Sequence, residues 1–212
     1  MEYDYLMGYF VVNEIIQKKK VEFKNVLYLS EEYKYKIREW RNQDFVRNNM
    51  INRNIISLDE HVKFLQNLEL NSFKEMYLAF YDNVPFAILQ LDFSEDNQIM
   101  ELGYYLIDSE NLGCGLGVIL NYASLKYAFE RRNVKKIVGR VLSFNRSALR
   151  LNTKMGFITE NIFKEHIKND DNYIEVYIQC IYYKNWVENK KNIARLLYAF
   201  ISSMDIVEIG NY

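Results

Sequence analysis

Residues that staple, ligate, kink or loosen a chain are scarce here: 212 residues include two cysteines, two histidines, one proline and eight glycines. Cys114 and Cys180 are too few for a disulfide framework and have no metal-ligand spacing, so they read as reduced thiols and no metal is expected. Excess charge is missing too. Lys and Arg (27) nearly balance Asp and Glu (28) and are interspersed, so no nucleic-acid or acidic-membrane partner is expected. Long apolar runs are also absent. The N-terminal "YLMGYFVV" is too short to span a bilayer, and Glu2 and Asp4 precede it where a signal peptide would be basic. These absences predict a soluble, cytoplasmic protein.

What is abundant points to a packed core, since half the residues are hydrophobic and 16% are aromatic. With no repeat, low-complexity tract or linker, one domain is expected over 21–181, with extensions at 1–20 and 182–212. Val26–Leu29 reads as a short strand. Ser30 is placed to cap a helix "EEYKYKIREWRN", and Ser57 with Glu60 forms a capping-box signature before Leu58, Val62 and Leu65 at helical spacing. "MYLAFYDNVPFAILQLDF" reads as a hairpin turning at Asp82 and Asn83, followed by a strand "QIMELGYYLI". Val118, Tyr122, Leu125 and Phe129 then mark an amphipathic helix. A strand "KKIVGRVL", a short helix stopped by Gly156 and a strand pair ending near Ile181 follow. Beyond Lys184 an apolar stripe through Trp186, Ile193, Leu197, Phe200 and Met204 predicts a helix docked on the domain or on another copy of the chain.

Three of the eight glycines fall within five residues, in "ENLGCGLG". A Gly-rich turn opening a helix is a ready anion site, because uncapped amides and the helix dipole converge there. A P-loop requires Lys and Ser or Thr after its last glycine, whereas Val118 and Ile119 follow Gly117. The dinucleotide fingerprint fits poorly, since the glycines run G-x-G-x-G midway along the chain. Leu112-Gly113-Cys114-Gly115-Leu116-Gly117 instead resembles the coenzyme A pyrophosphate loop of the GNAT family of N-acetyltransferases, with Leu112 at the usual basic or amide position. Downstream, "SFNRSALRLNTKMGF" is similar to that family's second motif through Asn145, Ala148, Leu151, Lys154, Gly156 and Phe157.

The resemblance implies an α/β fold: a mixed, twisted sheet of about seven strands flanked by helices. Acetyl-CoA would lie in the splay between two central parallel strands, which part at a β-bulge. It implies that backbone at Tyr105, Leu106 and Ile107 meets the pantetheine arm, that Gly113 to Gly117 hold the pyrophosphate, and that Asn145 and Asn152 also contact the cofactor. Transfer would proceed by direct attack of an amine on the thioester, with a backbone N–H near Tyr105 or Leu106 as oxyanion donor and Glu101 accepting the amine proton or orienting the substrate. Asn152 stands where many members carry a tyrosine that protonates the departing thiolate. An amide is no acid at neutral pH, so either Asn152 only hydrogen-bonds the sulfur, or Tyr105, Tyr122 or water supplies the proton. Cys114 has no neighbouring histidine to activate it as a nucleophile.

For the acceptor, "WRNQDFVRNNMINRNIISLDEHVKFLQNL" resembles the bacterial amino-sugar N-acetyltransferases of pseudaminic-acid biosynthesis, which act on a UDP-linked 4-amino-4,6-dideoxy sugar. Arg41, Met50, His61 and Phe64 are the pocket residues so implied. An enzyme acetylating protein N-termini and a coenzyme A-binding module without turnover remain alternatives.

Overall fold

The computed structural model describes residues 19–169, 172–201, 204–206 and 209. Nearly all of the proposed 1–20 extension therefore lies outside the described residues, as do the side chains of Leu197, Phe200 and Met204. Strand β1 (Lys19–Asn25) opens the fold. The expected strand at Val26–Leu29 is instead a 3-10 turn, because the Asn25 side chain accepts from the Leu27 N–H and bends the chain there. Helices α1 (Glu31–Asn42), α2 (Asp44–Arg47) and α3 (Leu58–Leu70) follow. Both arms of the Ser57–Glu60 capping box form. The expected α3 stripe is rotated, however. His61 and Leu68 are buried, while Leu58 and Val62 are exposed.

Strands β2 (Lys74–Tyr81) and β3 (Val84–Phe93) are joined at Asp82 and Asn83, both at positive φ, the two-residue turn that matches strand twist. Strand β4 (Ile99–Leu106), helix α4 (Leu116–Lys126) with a π-helical turn over Tyr127–Arg131, strand β5 (Lys136–Leu142) and helix α5 (Arg146–Lys154) come next. Strands β6 (Ile158–Asn169) and β7 (Asn172–Tyr182), helix α6 (Tyr183–Ile201) and strand β8 (Met204–Ile206) complete the order.

The eight strands of the described residues form one mixed sheet, β6-β7-β5-β4-β3-β2-β1-β8. The eighth, contributed by the C-terminal extension, runs parallel to β1. One face carries α1 and α3 over a cluster including Val26, Ile37, Leu68, Leu78, Phe80 and Ile88. The other carries α4 and α6, where Trp186 and Phe129 stack with ring centroids 6.1 Å apart. Trp186 and Ile193 are each 1% exposed, so at these positions the α6 stripe closes on its own domain.

The central parallel pair positions the site. Strands β4 and β5 share only three rungs, Ile99↔Lys136, Met100↔Ile137 and Glu101↔Val138, and then part. β4 continues to Leu106 on β3, and β5 continues to Leu142 on β7. The expected bulge does not cause this. The β3–β4 register is unbroken from Phe93↔Met100 to Ala87↔Leu106. Each strand stays with its antiparallel outer neighbour, and sheet twist opens the wedge between them.

Candidate active site

The wedge has an unsatisfied edge. The Ile107 N–H donates to Phe86 O, while Gln98 O accepts from the Lys136 N–H on the opposite side. Alternation along an antiparallel ladder therefore turns odd-numbered residues of β4 toward β3 and even-numbered ones toward the wedge. Tyr104 and Leu106 present N–H and C=O groups to the gap. The expected set is corrected by one position: Leu106 remains, whereas backbone at Tyr105 and Ile107 faces β3, and Ile107 O also accepts from Gln43 Nε2 at 3.3 Å.

At the mouth of the wedge, Gly113 and Gly115 both have φ +81°, and Gly115 is the N-cap of α4 with no side-chain cap, so the first-turn amides point outward without a side-chain acceptor. Leu116 puts its side chain into the core and contributes only backbone. Gly117 has another reason to be glycine, since a Cβ there would sit 3.1 Å from Leu151 Cδ2 and push α4 off α5. Leu112 is 61% exposed, and Cys114 Sγ lies 3.6 Å from Glu110 O, an inert contact. Asn145 caps α5 by accepting from the Ala148 N–H at 3.1 Å. Asn152 is buried at the edge of the wedge, its Nδ2 3.5 Å from the Cβ position of Gly139 and donating to Gln179 Oε1 at 3.0 Å.

The opposite face of β4 carries Glu101, Gly103 and Tyr105. A Cβ at Gly103 would meet nothing within 4 Å, so the strand is open there. Beside it both Glu101 oxygens accept from Arg140, Nε at 2.7 Å and a terminal nitrogen at 2.7 Å. Sequence parity missed this fork because it joins residues 39 apart. Tyr105 turns its hydroxyl, unpartnered and buried, toward Arg41.

Polar side chains of the acceptor-side segment fold their own loop. Asn42 clamps Ile56 through both backbone groups, at 2.8 and 2.9 Å. An Arg41 terminal nitrogen donates to Asn52 O at 2.5 Å and Arg47 to Arg53 O at 3.1 Å, while Arg53 stacks over Phe144, 5.5 Å from its ring centroid. The loop thus reaches the strand-to-helix turn after β5. The other terminal nitrogen of Arg41 and Nε of Arg47 are buried without acceptors. Burial, and then repulsion from Arg47, lower the Arg41 pKa. His61 Nε2 lies 2.7 Å from Lys34 O, which requires the proton on that nitrogen and removes it as a donor to a ligand; burial holds its pKa below the ordinary value. Phe64, with ring centroid 6.4 Å from that of His61, walls a cavity of about 590 Å³ with Leu68, Phe73 and Lys74. Met50 is half-buried in the loop.

Residues 29–178 match the family model of the acetyltransferase (GNAT) domain. The chain belongs to the GNAT acetyltransferases. Among curated relatives, acetyltransferase PseH of Campylobacter jejuni strain 81-176 is 32% identical over 132 residues, 62% of this chain and 80% of that protein. PseH of strain NCTC 11168 is 30% identical over the same shares. Among solved structures, spermidine N-acetyltransferase from Vibrio cholerae, in complex with CoA and spermine, superposes with TM-score 0.71 at 17% identity, over 79% of this chain and 98% of the other. C. jejuni PseH in complex with acetyl coenzyme A gives 0.56 at 23% identity, over 76% and 98%. These two structural likenesses speak to the fold.

In this acetyltransferase the wedge fits acetyl-CoA on observations of its own. Uncapped first-turn amides suit a pyrophosphate, and an unpaired strand edge suits an extended amide arm. Asn121, fully buried on α4, has an Oδ1 with no partner, an acceptor that a pantetheine N–H would satisfy. Bound there, acetyl-CoA would supply the activated acetyl group, with the β4 edge at Tyr104 and Leu106 as the backbone that would hold it. Among the described residues no helix is long and apolar enough to cross a membrane.

Proposed function

We propose that this acetyltransferase transfers acetyl to the 4-amino group of a UDP-linked amino-dideoxy sugar, the cytoplasmic reaction type of pseudaminic-acid biosynthesis used in flagellin glycosylation. The observation that carries the reading is the Arg41–Arg47 pair: two guanidinium groups on the acceptor side with buried, acceptor-less N–H groups. Arg47 also donates to Asp44 at 2.6 Å, which leaves Arg41 as the guanidinium of the pair without a carboxylate, and an uncompensated guanidinium favours a diphosphate over a polyamine. Tyr105 and Glu101 are four residues apart on one face of β4, about 13 Å at strand rise. That span separates the substrate's anionic end at Arg41 and Tyr105 from the Glu101–Arg140 pair, with the amine at Gly103 about 7 Å from Tyr105. There the Glu101–Arg140 pair orients the amine, and the Leu106 or Tyr104 amide receives the developing oxyanion. With its Nε2 proton taken up by Lys34, His61 supports α3 while Phe64 and Met50 offer apolar surface to the base. Asn152 borders the thioester end of the wedge, and Asn145 the pyrophosphate end.

Thiol release with acetyl-CoA and a panel of acceptors tests this. The UDP-linked 4-amino-4,6-dideoxy sugar is expected to give a kcat/KM at least ~100-fold above spermidine or a peptide N-terminus, the scale of discrimination that two buried charge contacts supply. Preference for spermidine, or for the peptide, would overturn it.

A further inference from the structure

We propose that Arg140 sets the charge class of the acceptor: forked onto Glu101, it cancels the carboxylate beside the amine, so that the site takes an acceptor through a neutral amine and turns away a polycation. The inference rests on the reading that places the acceptor amine at Gly103.

The fork sits where the parallel pair parts. Glu101 is on the last rung with β5, opposite Val138, and Arg140 is two residues farther along β5. Pairing between β4 and β5 ends at that rung, and Arg140 reaches back across the opening to donate to both Glu101 oxygens at 2.7 Å. Strand alternation puts Arg140 on the face opposite to Gly139, whose Cβ position lies 3.5 Å from Asn152 of α5. The fork is therefore on the acceptor side of the sheet, next to Gly103 along the same face of β4.

Charges continue across that face. Glu101 stands opposite Asp92 of β3, and Asp92 opposite Lys74 of β2. Lys74 Nζ lies 3.4 Å from Asp92 Oδ1, and Gln90 donates to Asp92 Oδ2 at 2.9 Å. Lys74, Asp92, Glu101 and Arg140 thus form one row over four adjacent strands, with cations at its ends and carboxylates in its middle. Carboxylates directly opposite each other on a sheet repel, and Lys74 is engaged with Asp92, so Arg140 is the group that offsets Glu101. Its pKa is raised, first by the bonds to Glu101, with Asp92 adding to the effect.

The balance decides what this face attracts. A carboxylate offers about four lone-pair sites, and the fork occupies one on each oxygen. Those left accept an amine N–H in a hydrogen bond that brings no net charge with it. Without Arg140 the same carboxylate, beside Asp92, would draw an ammonium group and repel a diphosphate. The side chains of Arg140 and Glu101 are 45% and 36% exposed, so solvent limits the effect, and removing the fork strands no charge in the core.

Arg140→Gln tests this. Spermidine binding with coenzyme A present, measured by calorimetry at low salt, is expected to tighten about 10-fold, a scale discounted for solvent screening. The ratio of kcat/KM for spermidine to that for the UDP-linked amino sugar is expected to rise by about as much. Arg140→Lys, which keeps the charge, is expected to stay within about threefold of the unsubstituted chain in both readouts. Adding Glu101→Gln to Arg140→Gln is expected to abolish the gain, which a merely loosened strand pair would not do. An Arg140→Gln chain whose spermidine affinity rises less than about threefold, or a gain that survives Glu101→Gln, would overturn the proposal. The acceptor reading is judged separately, by which acceptor the unsubstituted chain prefers, so the two failures are distinct.

Discussion

His61 holds its Nε2 proton on the Lys34 carbonyl, so a second proton on Nδ1 would place a charge in a buried site already near Arg38. Its folded pKa is depressed below the unfolded value of about 6.5. As pH falls through that value the unfolded chain takes the proton first, so stability is full above about 6.5 and lost below it. Urea midpoints between pH 7 and 5 are expected to fall in the unsubstituted chain and to fall less in His61→Gln, which keeps a donor for Lys34; equal slopes would refute this. At the pyrophosphate loop, Gly113→Ala meets open space and carries only the strain of φ +81°, about 1 kcal/mol. Gly117→Val drives a branched side chain toward Leu151 and is expected to cost about 1–3 kcal/mol in thermal unfolding. The glycines were legible in the sequence as a group. Their separate reasons were not, because the Leu151 contact exists only once two helices pack. For the same reason Arg140 on Glu101, and Lys34 on His61, had no sequence signal: each pair is distant in the chain and joined by the fold.

Elements with local causes were read closely from sequence. The Ser57–Glu60 box and the Asp82–Asn83 turn each depend on residues within a few positions of one another, and both form. Ser57→Ala is expected to lose about 1 kcal/mol in urea unfolding, since it removes the Oγ that accepts from Glu60 N. Elements with distant causes were misread. Leu58 and Val62 have helical spacing but face outward, because the inward side of α3 is set by where His61 finds the Lys34 carbonyl on α1. The wedge was anticipated, but for the wrong reason. Twist and the loyalty of each strand to its outer neighbour open it, and a period-two pattern reports neither. The one-residue shift in which β4 amides face the gap follows, since side-chain parity does not say which neighbour an amide serves.

In the whole molecule, α6 is part of the core rather than an appendage. Trp186 stacks on Phe129, contacts Tyr122 and donates to Glu130 at 3.2 Å, and the cavity of about 370 Å³ beside α4 is partly walled by Ile209 from the chain end. Trp186→Ala is expected to destabilise the chain by about 3–5 kcal/mol in urea unfolding, as for other large core deletions. A loss under about 1 kcal/mol would mean that α6 is peripheral to stability.

The pairing of β8 with β1 has a consequence in time. Synthesis makes Lys19–Val21 near the beginning and Met204–Ile206 near the end of this sequence, yet these residues lie side by side. While the chain is still being translated, β1 has β2 on one side and an open edge on the other, available to any strand from a neighbouring nascent chain. Only when Met204–Ile206 have emerged can the molecule close that edge on itself. Ribosomes queued on one message are therefore where this acetyltransferase is most exposed to association in the wrong register.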